Sequence, residues 1–285
     1  MLVGFFLYQK DILDNHTSKK LSVILNTCIV PCCVIEAFQR PFDSSLAKTL
    51  ALTFFAAAIL FLISIALSMR LFPKSEADSR VSAVLSNNGF MSLPLLDALF
   101  GSTGVFLGSA HIVVMAIVIW TFGVSQLDRD YRFSLRRIVM TPGVLAAIFS
   151  LLLFISPVKL PAQIFSAVAF LGDLNTPLAM LVLGAYLAQI DFCQVFNNLE
   201  VWKITCIRII VIPFISVLVL MHFPLDITAN ISLLIAMAAP TAVAAPMFAQ
   251  IYGTDYLFST RVVALSTILS LITLPAWIAV LTALA

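Results

Sequence analysis

Charged residues are scarce in this chain of 285 residues, since only 11% are Asp, Glu, Lys or Arg while 61% are hydrophobic. The mean hydropathy is +1.08. A water-soluble domain needs a largely polar surface, and about a quarter of its residues are charged. Here the few charged residues gather in short clusters between long apolar runs. This pattern excludes an ordinary soluble fold and predicts a polytopic integral membrane protein.

Motifs of several chemical classes are also missing. The five cysteines lack the paired spacing of a zinc or redox site, and there is no GxSxG, HExxH or paired Asp motif. We therefore expect no enzymatic activity, no cofactor and no bound metal. The net charge of +2 likewise predicts no nucleic-acid partner.

Long apolar runs dominate what is present. A helix needs about 20 apolar residues to cross a bilayer, and nine runs approach or exceed that length, at about 21–38, 46–69, 81–100, 103–124, 138–156, 162–189, 201–221, 231–252 and 260–284. Residues 1–8 are apolar but too few to cross, and they look like the end of a shortened first helix. We predict an all-α membrane protein with ten transmembrane helices, the first one truncated.

Basic residues are unequally distributed between alternate loops. One side carries only Arg40, Lys48 and Lys159, whereas the other carries Lys10, Lys19, Lys20, Arg70, Lys74, Arg80, Arg129, Arg132, Arg136, Arg137 and Lys203. Lys and Arg are enriched in cytoplasmic loops. We therefore predict a multi-pass protein of the cytoplasmic (inner) membrane whose basic loops face the cytoplasm.

The two halves of the chain share a pattern. LSNNGFMSLPLLDALFG at 85–101 aligns with MAAPTAVAAPMFAQIYG at 237–253, so that Pro94 meets Pro246 and Gly101 meets Gly253 at one constant offset. A weaker echo places LNTCIVP over LGDLNTP, which brings Pro31 opposite Pro177.

This repetition predicts two five-helix units, one over residues 1–137 and the other over residues 138–285. Because five is an odd number, the second unit must lie upside down in the membrane relative to the first. The predicted fold is therefore an inverted repeat, an arrangement found in many secondary transporters.

Proline within a helix removes a backbone donor and clashes with the preceding turn, and Asn-Asn-Gly lowers helix propensity further. We expect helices four and nine to be broken and to cross at mid-membrane. The N-termini of half-helices carry partial positive charge, so such a crossing is a natural anion site. A lone proline would more often mark a simple kink, but matched prolines in the two halves favour the break.

Four segments resemble the auxin efflux carrier family of transporters, including its bacterial members. They are VGFFLYQKDILD at 3–14, NNGFMSLPLLDALFG at 87–101, NTPLAMLVLGAYLA at 175–188 and LSTILSLITLPAW at 265–277. The resemblance covers essentially the whole chain. It implies a ten-helix fold of two inverted repeats, related to bile-acid symporters, with substrate bound where helices four and nine cross. For bacterial members it implies a carboxylate substrate such as malate or malonate.

The first candidates for substrate binding are Asn87, Asn88 and Pro94 in helix four, with Pro240 and Pro246 in helix nine. Freed backbone groups and Asn amides can donate to a carboxylate without the desolvation cost of burying a full charge. The alternative is that both Asn side chains only satisfy freed backbone groups.

Helices two and seven supply a second set at corresponding places, and we expect it to flank the same cavity: Asn26, Pro31, Asn175, Thr176 and Pro177. Gly184 and its small neighbours more often indicate close helix packing.

Ionisable residues at membrane depth are costly and therefore indicate function. Asp173 and Asp97 are the candidates for coupling to a proton or another cation. His111 is expected to be a hydrogen-bonded core residue, and Arg208 and Arg261 are expected to extend to the cytoplasmic surface.

The sequence favours a secondary transporter that moves a small organic anion, of the carboxylate class, by alternating access. A sodium- or proton-coupled symporter of a neutral or bile-acid-like solute and a membrane sensor module are the alternatives. The expected partners are the anion and membrane lipid, and a homodimer is left open.

Overall fold

The computed structural model describes residues 1–128, 130–156, 158–189 and 195–284, so Arg129 of the predicted cytoplasmic set lies outside the described residues. The described chain is helical, with one isolated β-bridge. We number its main helices α1 (Leu2–Gln9), α2 (Asn15–Ala37), α3 (Ser44–Leu71), α4 (Ala77–Val84), α5 (Asn88–Leu127), α6 (Leu135–Val139), α7 (Pro142–Ile155), α8 (Ala162–Ala188), α9 (Leu199–Leu220), α10 (Ile227–Ala238), α11 (Ala244–Tyr252) and α12 (Tyr256–Leu284).

Six of these helices, α2, α3, α5, α8, α9 and α12, are long and apolar enough to cross a membrane, while α7 and α10 are apolar but shorter. The nine predicted runs do not map one to one onto these helices. Helix α5 covers most of the runs predicted at 81–100 and 103–124, and the run at 231–252 is divided between α10 and α11.

The chain reverses direction within α5 at Gly101. This glycine has φ 56° and ψ −147°, a conformation that is strained for any residue with a Cβ atom. A methyl group at Gly104 would collide with the carbonyl oxygen of Leu96, which shows that the segments on either side of the turn pack backbone to backbone. The predicted boundary between two spans is therefore a tight turn without a loop.

Prolines shape three of the membrane helices in the same way. Pro31, Pro94 and Pro213 each follow a π-helical turn, at Leu25–Ile29, Asn88–Ser92 and Ile207–Val211 respectively. A proline clashes with the carbonyl four residues earlier and cannot donate to it. Widening the preceding turn moves that carbonyl away, so the helix continues past the proline.

Glycines allow close approach between α1 and the second half of α8. A methyl group at Gly4 would collide with the carbonyl oxygen of Leu181, and one at Gly184 would collide with the carbonyl oxygen of Met1. The interpretation of Gly184 as a packing residue is therefore confirmed.

Among the described residues, the interior contains two hydrophobic clusters. The larger one surrounds the ends of α4, α5, α10 and α11 and includes Leu85, Met237 and Leu265. The smaller one contains phenylalanine rings in contact, with the centroids of Phe38 and Phe106 4.5 Å apart and their planes tilted by 45°. The site described below therefore lies in the larger, more central cluster.

We predict that Gly101→Ala lowers the free energy of unfolding by about 1–3 kcal/mol, because alanine is strained at this φ and ψ. The added methyl group meets no atom within 4 Å, so the effect is one of backbone strain alone. Thermal unfolding in detergent micelles provides the measurement. The control is Gly253→Asn, since Gly253 is left-handed (φ 71°, ψ 29°), a conformation that Asn tolerates. Equal losses of unfolding free energy in the two variants would contradict the prediction that Gly101 is the more strained position.

Candidate functional site

Two interruptions of the helical backbone meet in the interior. Helix α4 ends at Val84 and α5 begins at Asn88, while α10 ends at Ala238 and α11 begins at Ala244. The two connecting segments are almost entirely buried. We call residues 85–88 and 239–243 together the crossover.

Main-chain hydrogen bonds join the two segments of the crossover. Ser86 and Thr241 form an antiparallel β-bridge. The N–H of Asn87 donates to the carbonyl of Pro240, and the N–H of Ala242 donates to the carbonyl of Leu85, both at 2.8 Å. Each broken helix thus supplies a partner for the backbone groups that the other has freed, as lipid-buried backbone requires.

The side chain of Thr241 adds a second connection. Its hydroxyl donates to the carbonyl of Ser82 at 2.8 Å, and its own N–H donates to the hydroxyl of Ser266 at 3.1 Å. Thr241 therefore links α4, the crossover and α12.

Arg208 lies beside the crossover, and the expectation that it extends to the cytoplasmic surface is wrong. Its side chain is 0% exposed. The guanidinium donates to the carbonyls of Ala239 (2.9 Å), Met237 (2.8 Å), Val84 (3.2 Å) and Ala83 (3.3 Å). These carbonyls belong to the C-terminal ends of α4 and α10 and to the first residue after α10.

Helix ends explain why the charge of Arg208 is tolerated there. The last carbonyls of a helix have no partner within it and carry partial negative charge. All the hydrogen bonds of the guanidinium within the described chain go to such carbonyls, and none goes to a carboxylate. The helix ends thus neutralise the arginine, so the site needs no acidic side chain.

The two asparagines of the crossover retain unused donors. Asn87 and Asn88 are 4% and 7% exposed. The Oδ1 atom of Asn87 accepts from the N–H of Phe90, and that of Asn88 accepts from the hydroxyls of Ser86 and Ser92. Neither Nδ2 atom has a partner in the described chain. A buried polar group without a partner costs about 1–3 kcal/mol, so these amides are available to a ligand.

The candidate prolines lie at or beside the crossover. Pro240 is buried in the β-bridged segment. Pro94 is buried just after the π-turn that starts α5, and Pro246 is half-buried in the first turn of α11.

Of the candidates from predicted helices two and seven, which are α2 and α8 of the structure, only some lie near the crossover. A methyl group at Gly89 would lie 3.5 Å from Oδ1 of Asn26, so Asn26 borders the crossover, and its Nδ2 donates to the carbonyl of Ser22. Pro31 is half-buried farther along α2. In α8, Asn175 is buried with its Oδ1 unpartnered among the described residues, whereas Thr176 is half-buried and Pro177 is exposed.

Asp97 and Asp173 lie away from the crossover. Both are exposed, and Asp97 is nine residues beyond Asn88, or about 13 Å along a helix. Together with Glu36 they form a group of mutually repelling carboxylates. Cys33 donates to the carbonyl of Gly172 at 3.1 Å beside this group.

Sequence reasoning missed two features of the site. Arg208 stands in the middle of an apolar run, a signal that indicates burial and not the surface position predicted for it. The prediction that His111 is hydrogen-bonded is wrong: neither ring nitrogen has a partner in the described chain, and the ring packs on Phe61 with centroids 5.1 Å apart. The spacing of residues along the chain predicts neither the bonds of Arg208 to the helix-end carbonyls nor the packing of His111 on Phe61.

We predict that Thr241→Val lowers the free energy of unfolding by about 1–3 kcal/mol, because the buried carbonyl of Ser82 loses its hydroxyl partner without a change in side-chain volume. The matched control is Thr53→Val. Thr53 is equally buried, but its hydroxyl donates to Thr49 within its own helix, where the carbonyl also has a backbone partner. Thermal unfolding of both variants is the measurement, and a larger loss for the control would contradict the role of Thr241.

Comparison with known proteins agrees with a role in transport. The profile of a family described as "Membrane transport protein" matches residues 1–132 and 129–278. Proteins named "Uncharacterized transporter YfdV", from Escherichia coli (strain K12) and Shigella flexneri, are 22% identical over 296 residues, covering 98% of this chain and 93% of their own length. Because the family matches nearly the whole chain, this multi-pass membrane protein belongs to the membrane transport protein family, that of the auxin efflux carriers, and is a transporter and not an enzyme.

Proposed function

We propose that this transporter carries a small organic anion of the carboxylate class across the cytoplasmic membrane and binds it at the crossover. Membership of the family supplies the transport activity. The single observation that carries the choice of substrate is the pair of buried, unpartnered amide donors on Asn87 and Asn88. Each amide N–H can donate a hydrogen bond, and a carboxylate oxygen is an acceptor.

The electrostatics of the crossover favour the same ligand. Helices α5 and α11 begin there, and the N-terminal end of a helix carries partial positive charge. Arg208 neutralises the C-terminal ends of α4 and α10, so their partial negative charge does not offset these N-terminal ends. In a low-dielectric interior these charges act over longer distances than in water, so an anion is attracted and a cation is repelled.

Amide donors also suit a substrate that must leave. A direct ion pair with a buried arginine would hold the anion strongly and would be costly to break. Neutral donors avoid that cost, while the arginine remains occupied by carbonyls. We therefore assign Asn87 and Asn88 to substrate contact and Pro94, Pro240 and Pro246 to shaping the backbone around the substrate.

For the fold we propose ten transmembrane helices in two inverted units, residues 1–137 and 138–285. Two successive matches of the family profile support this division. The β-bridge supports it as well, because it joins Ser86 and Thr241, which are close to equivalent positions in the aligned halves. Rocking of one helix bundle against the other would then expose the crossover to each side in turn, with the basic loops in the cytoplasm.

The remaining candidates are assigned by position. Asn26 borders the start of α5, and Asn175 begins the half of α8 that contacts the same turn. We propose that they flank the substrate cavity with Pro31, Thr176 and Pro177. The carboxylates of Asp97 and Asp173 stand apart from the crossover. They favour a second candidate function, symport with a proton or another cation bound at those carboxylates.

The experiment is a stabilisation assay on purified protein with malate, malonate and benzoate, followed by uptake into proteoliposomes. We expect at least one acid to raise the melting temperature of the wild type. Asn88→Asp should weaken that acid's binding by roughly tenfold or more, because a donor is replaced by a like charge, which corresponds to about 1.4 kcal/mol or more. Asn88→Ala should weaken it as well.

The matched control is Asn230→Asp, the same change in the first turn of α10, where the amide donates to the carbonyl of Leu225. This variant should keep the affinity of the wild type. If no acid stabilises the wild type, or if Asn88→Asp binds it unchanged, the anion site is not at the crossover.

A further inference from the structure

Arg208 occupies a position that has the chemistry of a cation site. The carbonyl oxygens of Ala83, Val84, Met237 and Ala239 converge on one guanidinium at 2.8–3.3 Å. We call these four oxygens the carbonyl cage. They come from the ends of two different helices, so the cage exists only where α4 and α10 are both interrupted.

The positive charge of Arg208 and the partial negative charges of the two helix ends in the carbonyl cage are about equal in size. The C-terminal end of a helix is equivalent to roughly half a negative charge, so two ends facing each other amount to about one. One guanidinium neutralises that charge and satisfies the carbonyls by hydrogen bonds at the same time. In other transporters with broken helices, half-helix C-terminal ends and unwound carbonyls coordinate a sodium ion.

We propose that Arg208 is a tethered cation that takes the place of a free monovalent ion in the carbonyl cage. The crossover of the wild type then assembles without bound sodium or potassium. Removing the side chain leaves a buried cage of four carbonyls that a free cation fills. Any cation coupling in this protein must consequently occur outside the cage.

If Arg208 only filled space, its variants would differ in stability from those of a residue that neutralises the carbonyl cage. If the side chain only filled space, the neutral Arg208→Met would be as stable as the wild type. If the charge is what matters, Arg208→Lys should retain most of the stability although it reaches fewer carbonyls. The cation dependence of Arg208→Ala is the readout that a space-filling role would not change.

The experiment measures melting temperatures of purified protein in sodium, potassium and choline chloride at equal ionic strength, without substrate. We expect the change of salt to shift the melting temperatures of the wild type and of Arg208→Lys by equal amounts, and Arg208→Met to melt lower than either. Arg208→Ala should melt lowest in choline and be raised by sodium or potassium in a saturable manner. Low millimolar guanidinium should also raise it.

The matched control is Arg80→Ala. Arg80 is also buried, and it donates to the carbonyls of Phe72 and Met69 and to the side chain of Gln126, away from the crossover. Its loss should lower the melting temperature equally in all three salts, because these carbonyls cap a single helix end.

Several results would overturn the proposal. They are an Arg208→Ala protein that sodium and potassium stabilise no more than they stabilise the wild type, and an Arg208→Met protein as stable as the wild type. If Arg208→Ala cannot be purified, the melting temperature of Arg208→Lys provides the test. A melting temperature as low as that of Arg208→Met rejects the proposal, and one near that of the wild type supports it. Because no substrate is present, failure here leaves the anion site of Asn88 standing.

Discussion

The hydrogen bonds between Arg208 and the carbonyls of two interrupted helices are the interaction on which the rest of the structure depends. A helix that stops inside a membrane protein leaves carbonyls with no water to accept from. Here both helices stop beside Arg208, and one guanidinium serves both ends. Without it, the β-bridge between Ser86 and Thr241 would hold together two helix ends of like partial charge.

The bonds of Arg208 leave the two kinds of helix end at the crossover in different electrostatic states. The negative C-terminal ends of α4 and α10 are neutralised by Arg208, and the positive N-terminal ends of α5 and α11 remain for a ligand. The unused amides of Asn87 and Asn88 lie at the start of α5. The proposed selectivity for anions therefore follows from how the backbone is interrupted, and it needs no ion pair with the substrate.

Local chemistry explains which parts of the fold were predictable. The Asn-Asn-Gly sequence before Pro94 and the paired prolines 240 and 246 are poor helix formers, so the interruptions could be located from sequence. The family was recognisable because its motifs are contiguous. By contrast, an apolar run does not reveal that two packed helical segments meet at Gly101 without a loop, or that the charge of Arg208 faces inward. The position of Arg208 is set by contacts with residues far away in the chain, such as Val84.

The central claim is that a carboxylate binds at the crossover and reaches it from each side of the membrane in turn. Side-specific labelling tests it most directly, using Ser92→Cys in a chain whose five native cysteines are replaced. Ser92 is buried, and its hydroxyl contacts Asn88. We predict that membrane-impermeant thiol reagents label residue 92 from either side and that a bound carboxylate blocks both reactions. Labelling from one side only, or labelling that no carboxylate slows, would contradict the claim.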